Sequence, residues 1–494
     1  MRRRHAALTP CRKACYHRTG YRVDSDGRAM IKNGVERSGD NGGWIMSMPR
    51  WLHIGMSIKR WLVLLIVGVT IVSLSGGYFA KALYDAPFRF PGWVGIATLQ
   101  FWPRQVRGML FLFVGGGLAG VALLRLNRTV INALLPQGNA RVVDLLYQKR
   151  QLKRGPRIVA IGGGTGLSIL LSGLKRYTGN LTAIVTVADD GGSSGRLRRE
   201  FGILPPGDFR QCIVALADVE PLMGKLLEYR FKEGSGLEGH NLGNLLLAAM
   251  ADITGDFDQA LVEMGHILAV QGQILPSTLE DVSLVADLRD KSRVHGESNM
   301  HQDHASGVVD LDGRAPIERV FLKPANAVGY PEAVQAILDA DIVVVGPGSL
   351  YTSVLPNLLV KDIARALDAS AAYKVFVCNV ATEPGETDAY QAEDFLAAVE
   401  RHIGAQMFAA IITNTRLDAA QPPYWHSDVV AAEWRDAHGA TLITSDVVDQ
   451  NNAIRHDPTK LARSVIRSWA RHTRGERHAA HDEAKVERRE ASVS

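Results

Sequence analysis

The sequence predicts an α/β protein whose Rossmann-like, three-layer domain has a mostly parallel sheet and follows a two-helix transmembrane hairpin. Short β-branched runs alternate with helical patterns over the last two thirds of the chain. This alternation is typical of a parallel sheet covered by helices on both faces. Ahead of them, the twenty residues from Trp61 to Ala80 carry no charge and are long enough to span a bilayer.

The hairpin is predicted over residues 59–128. Its first helix is the uncharged run 61–80, and its second is the shorter uncharged run 108–124. Gly116 and Gly120 in the second run allow two helices to pack closely. For the first run, a buried core helix and a signal peptide are the alternatives, and its length and the lack of a small-residue cleavage pattern disfavour both.

The charges around the hairpin predict its orientation and the rest of the domain plan. Lys and Arg are concentrated before Trp61, so the positive-inside rule places both ends of the hairpin in the cytoplasm and makes this a multi-pass protein of the inner membrane. The large domain then lies in the cytoplasm. Four further segments are predicted: a disordered basic region (1–58), a connecting helix (129–154), the folded α/β domain (155–470) and a disordered charged tail (471–494).

Composition excludes several function classes. The net charge is only +5 and the basic residues crowd at the two ends, which argues against a nucleic-acid-binding face. The four cysteines, Cys11, Cys15, Cys212 and Cys378, are scattered without C-x-x-C spacing, which argues against a zinc site or a disulfide framework.

Five strands and two helices can be placed within the folded domain. The strands are Ile158–Ile161, Ala183–Val187, Ile342–Val345, Val375–Val377 and Phe408–Ile412, and the helices include Leu167–Tyr177 and Pro331–Ala340. Ligands of open parallel sheets bind beyond the carboxyl ends of the strands. The residues that follow these strands are therefore the candidates for a site.

The first strand runs into a glycine-rich turn that we interpret as a phosphate cradle. Glycines let backbone N–H groups approach an anion, and the following helix adds a partial positive charge. The spacing is not that of a P-loop, and Leu167 stands where a complete G-x-G-x-x-G would have its last glycine. A tight βα turn is the alternative. The ligand-binding residues predicted here are Gly162, Gly163, Gly164, Thr165 and Gly166.

An acidic loop, residues 188–198, follows the second strand and is predicted to hold an anion or a metal. It supplies Asp189, Ser193 and Arg196 as candidate ligand-binding residues. Asp190 is a candidate Mg²⁺ ligand together with Asp208, eighteen residues further on, because Mg²⁺ favours carboxylate and phosphate oxygens. Three alternatives stay open: a ribose-binding acid, a glycine hairpin capped by Ser193, and Asp208 as a helix N-cap.

Three further polar, Gly-containing loops follow the same logic at residues 239–244, 346–353 and 379–388. Taken singly, their serines, threonines and histidine are commonly helix caps or surface residues. Taken together, they outline a nucleotide or phosphosugar cleft. The candidates are His240, Asn244, Gly348, Ser349, Thr352, Asn379 and Glu383.

The order of these motifs resembles a known family. The series is Ile161-Gly-Gly-Gly-Thr-Gly166, Asp189-Asp-Gly-Gly-Ser-Ser-Gly-Arg196, Pro205-Pro-Gly-Asp208, His240-Asn-Leu-Gly-Asn244, Gly346-Pro-Gly-Ser349 and Pro384-Gly-Glu-Thr-Asp388. Over about residues 155–470 it is similar to the gluconeogenesis factor family, the YvcK-like branch of the 2-phospho-L-lactate transferase (CofD-like) superfamily.

The resemblance implies a Rossmann-like domain that binds UDP-sugars, notably UDP-N-acetylglucosamine. It further implies support of cell shape and peptidoglycan synthesis during gluconeogenic growth, with an envelope-synthesis protein or a second copy of the chain as partner. The transferase relatives use the matching loop and acid pair for a nucleoside diphosphate and a metal. By that resemblance, Gly163, Gly164 and Thr165 contact phosphate. Asp190 and Asp208 bind the metal, and Asn244 and Ser349 line the nucleotide site.

Three functions remain from the sequence. A membrane-tethered, UDP-sugar-binding regulator fits the motifs most closely, although the hairpin departs from the usual soluble form of the family. A 2-phospho-L-lactate transferase is second, because the acid pair is retained. A nicotinamide-dependent oxidoreductase is third, and the incomplete dinucleotide turn argues against it, so neither nicotinamide nor flavin is expected.

Overall fold

The structure is a computed structural model that describes residues 150–218, 221–233, 236–300, 315–404, 406–418, 427–432, 434 and 439–491, with isolated positions between 73 and 106. The chain divides into two compact units, and the α/β domain lies in the unit that contains Gln151–Ser494. The predicted hairpin (59–128) and connecting helix (129–154) fall almost entirely outside the described residues. No helix within the described ranges is long and apolar enough to cross a membrane.

A seven-stranded sheet forms the centre of the domain, and all of its neighbouring strands are parallel. Its strands are β1 (Ile158–Gly162), β2 (Leu181–Val185), β3 (Gln273–Pro276), β7 (Ile342–Val345), β8 (Tyr373–Val377), β9 (Ala410–Asn414) and β10 (Thr441–Ser445). They lie in the order β10-β9-β8-β7-β1-β2-β3. This is the Rossmann-like, mostly parallel α/β layout that the sequence predicts.

Apolar stripes at helical spacing hold the helices against this sheet. In the first helix, Leu167, Leu170, Leu171 and Leu174 are all buried, as expected for positions i, i+3, i+4 and i+7 of an amphipathic helix. The helices are α1 (Gly164–Leu174), α2 (Gly192–Phe201), α3 (Pro206–Leu216), α4 (Pro221–Leu227), α5 (Leu242–Thr254), α6 (Phe257–Ile267), α7 (Pro331–Asp339), α8 (Leu355–Leu358), α9 (Lys361–Ala369), α10 (Ala392–Ile403) and α11 (Pro458–Ala491). Helix α1 packs against α3 and α11, and α7 packs against α9.

A second, antiparallel sheet has the order β5-β4-β6 and was not anticipated from the sequence. Its strands are β4 (Ser283–Leu288), β5 (Arg293–His295) and β6 (Ile317–Lys323). His402 of α10 connects this sheet to the main domain, because its Nε2 accepts a hydrogen bond from the Val320 N–H at 3.0 Å. Its Nδ1 lies 2.7 Å from the Ala398 carbonyl oxygen and donates to it.

The predicted disordered tail, residues 471–494, needs correction. Helix α11 runs through this segment and ends at Ala491. Two physical reasons explain the difference. The segment is rich in Ala, Glu, Lys and Arg, which are strong helix formers, and the first turns of α11 are anchored by Leu461, Val465 and Ile466, which are fully buried.

Candidate functional site

Three adjacent strands place their carboxyl-end loops beside one another. Because β8, β7 and β1 are neighbours in the sheet, the loops that follow them meet at one edge. They enclose a cleft of about 320 Å³, which we call the Gly-loop cleft. Eight of the predicted ligand-binding residues line it: Gly163, Gly164, Thr165, Gly166, Gly348, Ser349, Asn379 and Glu383.

The glycine-rich turn after β1 needs its glycines for two different reasons. Gly164, the first residue of α1, has φ +59°, a left-handed conformation that favours glycine. Gly166 has no room for a side chain, since a Cβ atom there would lie 2.5 Å from the Pro347 carbonyl oxygen. The turn thus brings the start of α1 directly against the loop after β7, and the first residues of this helix line the cleft.

Asn379 fixes the other two loops of the cleft. Its Oδ1 accepts a hydrogen bond from the Gly348 N–H at 3.2 Å, and its Nδ2 donates to Glu383 Oε1 at 3.3 Å. The amide therefore connects the loop after β7 to the loop after β8. Ser349 lies next to this contact and lines the cleft without a side-chain capping bond.

Two polar residues of the cleft were missed in the sequence. Arg455 and His456 lie in the loop between β10 and α11 and line the same cleft. His456 is buried, and its Nε2 lies 3.2 Å from the Cys378 carbonyl oxygen. Burial lowers the pKa of His456 to about 4, so the ring is neutral at pH 7. The signal that was available is the polar run 449–457, which follows a strand as the other site loops do.

A buried carboxyl pair lies beneath the glycine-rich turn. Asp208 is in the first turn of α3, and its carboxylate accepts a hydrogen bond from the Gly164 N–H. Burial raises the pKa of Asp208, and the neighbouring Asp189 raises it further. Burial, followed by the nearby Glu297, likewise raises the pKa of Asp189. The two carboxyls repel one another, so this pair favours either a proton or a cation between them.

The partner of Asp208 is therefore Asp189, whereas the sequence paired it with Asp190. Asp190 is turned away: its Oδ1 accepts a hydrogen bond from the Ser298 N–H at 2.8 Å, beside the 3₁₀ turn Glu297–Asn299. The helix-capping alternative for Asp208 is wrong too, since Pro205 occupies the N-cap position of α3. Within the described part of the chain, no three His, Cys, Asp or Glu side chains form a group that could hold a metal ion.

Ser193, His240 and Asn244 form a separate buried network between α2 and α5. Ser193 Oγ lies 3.2 Å from His240 Nδ1, and it accepts hydrogen bonds from Asn244 Nδ2 and the Asn241 N–H, each at 3.3 Å. A hydroxyl that accepts two bonds can still donate one, so Ser193 donates to His240 Nδ1. The alternative role of Ser193, as the cap of a glycine hairpin, is excluded because this segment forms α2 and Gly191 is its N-cap.

Like Asp189, Ser193, His240 and Asn244, three further predicted ligand-binding residues do not line the Gly-loop cleft. Gly162 ends β1, and a Cβ atom there would have no neighbour closer than 3.7 Å. Thr352 is buried and donates to Glu386 Oε1 at 3.2 Å. Arg196 of α2 donates from Nη2 to the Glu238 carbonyl oxygen at 2.9 Å. These residues support the loops that form the site.

Comparison with known proteins covers most of the α/β domain. Residues 158–448 match the family model described as 2-phospho-L-lactate transferase CofD. A Nostoc sp. protein named "Putative gluconeogenesis factor" is 42% identical over 442 residues, 85% of this chain and 92% of that protein. The "Gluconeogenesis factor" of Bacillus subtilis is 43% identical over 323 residues, 63% of this chain and 97% of that protein. A crystal structure of a Bacillus halodurans protein of the upf0052 family matches with a TM-score of 0.58 at 42% identity, over 63% of this chain and 99% of that one.

Proposed function

The chain belongs to the 2-phospho-L-lactate transferase CofD family and, within it, to the gluconeogenesis factors, and from this premise we propose that it binds a UDP-sugar in the Gly-loop cleft. The proposed ligand is UDP-N-acetylglucosamine. The protein then acts as a regulator of cell shape and cell-wall synthesis during gluconeogenic growth, held at the inner membrane by residues 61–124 beside an envelope-synthesis partner.

The observation that carries this proposal is the concentration of anion-binding features in one cleft. The N-terminus of α1 supplies backbone N–H donors and a partial positive charge, as diphosphate sites in α/β folds require. Arg455 adds a full positive charge at the rim; it is exposed, and no described residue pairs with its side chain. Asn379 and Glu383 offer an amide and a carboxylate that suit the hydroxyl groups of a sugar.

The carboxyl pair Asp189 and Asp208 fits a divalent cation. Mg²⁺ is commonly held by one or two carboxylates together with phosphate oxygens of the substrate, so two acids beside a phosphate cradle form a suitable donor set. Their raised pKa values are the mark of carboxylates that lack a neutralising charge. A bound Mg²⁺ would neutralise phosphate charge next to the Gly164 N–H, and Asp189 replaces Asp190 as the proposed ligand.

The same carboxyl pair favours a second candidate, a 2-phospho-L-lactate transferase. A transferase needs a group that takes a proton from the attacking hydroxyl, and a carboxylate whose pKa is raised to about 7, as Asp208 is, suits that role. A nicotinamide oxidoreductase is the least favoured of the three candidates. The turn after β1 lacks the last glycine of a dinucleotide site, which argues against it.

Calorimetry of the full chain against UDP-N-acetylglucosamine, GDP and NAD⁺, with and without Mg²⁺, tests the three candidates. We expect UDP-N-acetylglucosamine to bind and Arg455→Gln to weaken it by roughly tenfold, the value of one charge-assisted hydrogen bond. Arg154→Gln is the matched control, since Arg154 is exposed and precedes β1 at the opposite edge of the sheet. Binding of GDP without the UDP-sugar would favour the transferase, and binding of none of the three would overturn the proposal.

A further inference from the structure

A short turn after β5, residues 296–300, lies against the acidic loop, and we call it the Glu297 turn. Its two ends are fixed, because the Gly296 N–H donates to the Leu284 carbonyl oxygen of β4 at 2.8 Å and the Met300 side chain is fully buried. The three residues between these ends are half-buried or exposed. A short exposed segment between two anchors can open locally while the domain stays folded.

Asp190 connects the acidic loop to this turn. Its Oδ1 accepts the hydrogen bond of the Ser298 N–H, and a Cβ atom on Gly296 would overlap its Oδ2. Gly296 also has φ +86°, a left-handed conformation that favours glycine. The turn thus approaches the Asp190 carboxylate so closely that only glycine fits. A hydrogen bond to a charged acceptor is stronger than one between neutral groups, so this contact holds the turn in place.

Glu297 brings a third carboxylate toward the carboxyl pair Asp189 and Asp208. A Cβ atom on Gly191 would lie 3.6 Å from Asp189 Oδ1 and 3.9 Å from Glu297 Oε2, so these two carboxylates border the same small space. Burial raises the pKa of Asp189 most, and the like charge of Glu297 raises it further. The repulsion between these acids favours movement of the turn away from the pair.

Two arginines near the turn fix the acidic loop. Arg198 Nη1 donates to the Asp189 carbonyl oxygen, and Arg199 Nη1 donates to the Asp190 carbonyl oxygen, each at 3.3 Å. Arg198 also forms an ion pair with Asp281. Because both arginines bond to the backbone of the acidic loop, the loop is the fixed side of the contact and the Glu297 turn is the side that can move.

We propose that the Glu297 turn is a movable cover of the carboxyl pair, held shut by Asp190 and closed more firmly by a divalent cation between Asp189 and Asp208. The cation in this inference rests on the proposed function. Without a cation, the pair repels Glu297, and the bond between Asp190 and the Ser298 N–H opposes opening. A cation attracts the Glu297 carboxylate and therefore shifts the population toward the closed state. Asp190 is then a positioning residue of the cover.

Hydrogen–deuterium exchange of the full chain, measured by mass spectrometry on peptides that contain residues 296–300, tests the cover in metal-free buffer. Asp190→Ala removes the acceptor and should speed exchange of the turn at least tenfold, the value of one hydrogen bond to a charged group. Asp190→Asn keeps an acceptor oxygen and should restore part of the protection. Glu297→Gln removes the repulsion and should slow exchange severalfold.

Glu318→Gln is the matched control, because Glu318 is an exposed acid of β6 in the same small sheet and should leave the exchange of the turn unchanged. Unchanged exchange in Asp190→Ala would overturn the cover, as would an equal effect of Glu297→Gln and Glu318→Gln. Exchange that rises equally in peptides of β4 would show global destabilisation and would overturn it as well.

Mg²⁺ added to the same samples tests the role of the cation. It should slow exchange of the turn severalfold in the wild type and much less in Glu297→Gln. If calorimetry detects Mg²⁺ binding while the exchange stays the same, closure by the cation is wrong. If calorimetry detects no Mg²⁺ binding, the cation site of the proposed function is wrong and closure by the cation with it, whereas the metal-free experiments still decide the cover.

Discussion

Gly163 lies directly against the carboxylate of Asp208. A Cβ atom built on Gly163 would overlap Asp208 Oδ2, and it would lie 2.7 Å from the Thr186 methyl carbon. The glycine-rich turn and the buried acid therefore form one packed unit, in which Asp208 accepts the hydrogen bond of the Gly164 N–H. The contact joins two motifs that lie more than forty residues apart in the sequence.

We expect Gly163→Ala to destabilise the domain by about 1–3 kcal/mol, the usual cost of overpacking, and to weaken ligand binding. Denaturant unfolding measures the first effect and calorimetry the second. Gly162→Ala is the matched control, because the nearest atom to its Cβ would be 3.7 Å away. In an Asp208→Ala background the cost of Gly163→Ala should fall. An undiminished cost would show that the carboxylate is not the obstacle.

Ser193→Ala should destabilise the protein by about 1–3 kcal/mol, because it leaves His240 Nδ1 and the Asn244 amide without their shared partner in a buried site. Ser172→Ala serves as the control. The Ser172 hydroxyl donates only to the Ile169 carbonyl oxygen of its own helix, so its loss should be nearly neutral. Thermal unfolding compares the two, and equal melting temperatures would contradict the network.

The sequence predicted the cleft better than it predicted the acids. Glycine-rich loops after buried strands are readable, because strand ends and phosphate-binding turns have local signatures. The choice between Asp189 and Asp190 depends on which carboxyl turns inward, and the pairing of Asp190 with Ser298 joins residues 108 apart in the chain. Such contacts have no local signal.

In the fold, too, elements with a strong local signal were predicted and elements with a weak one were missed. Strand Ile342–Val345 was predicted to the residue, since four consecutive buried β-branched residues leave little ambiguity. The antiparallel sheet was missed because β4 and β6 alternate imperfectly and β5 is only three residues long. The Gly-loop cleft residues Arg455 and His456 were missed because β10 is an edge strand that is nowhere fully buried, so its hydrophobic signal is weak.

Asp208→Asn should raise stability at pH 8. Burial raises the pKa of Asp208 to about 7, above its unfolded value of 3.8. The contribution of this carboxyl is fully present below the unfolded pKa and is lost as the pH rises through about 7. Asparagine removes that loss, because it carries no titrating group. Melting curves at pH 5 and pH 8 measure it, with Asp252→Asn, an exposed residue of α5, as the control. Added Mg²⁺ should stabilise the wild type more than the variant.

His456 should give the opposite pH dependence. Burial lowers its pKa from 6.5 to about 4, so its contribution is present above the unfolded pKa and is lost as the pH falls through about 4. His456→Gln, which can still donate to the Cys378 carbonyl oxygen, should remove this acid sensitivity. Comparison in the Asp208→Asn background separates the two effects. His266→Gln, at an exposed histidine of α6, should leave the acid profile unchanged, and a profile unaffected by His456→Gln would contradict the assignment.

We expect residues 61–124 to attach the protein to the membrane, which determines the compartment in which the α/β domain binds its ligand. The uncharged run 61–80 is long enough to span a bilayer at about 1.5 Å per residue, and the basic residues before it favour a cytoplasmic N-terminus. The full chain should therefore pellet with membranes and resist a carbonate wash. An arginine at the centre of a span costs about 2.5–3.5 kcal/mol, so Val67→Arg together with Val69→Arg should release part of the protein, while leucine at both positions should not.

UDP-sugars are cytoplasmic metabolites, and protease added to intact cells should accordingly leave the α/β domain undigested. A wild-type chain found in the soluble fraction, or an α/β domain digested from outside, would show that this topology is wrong.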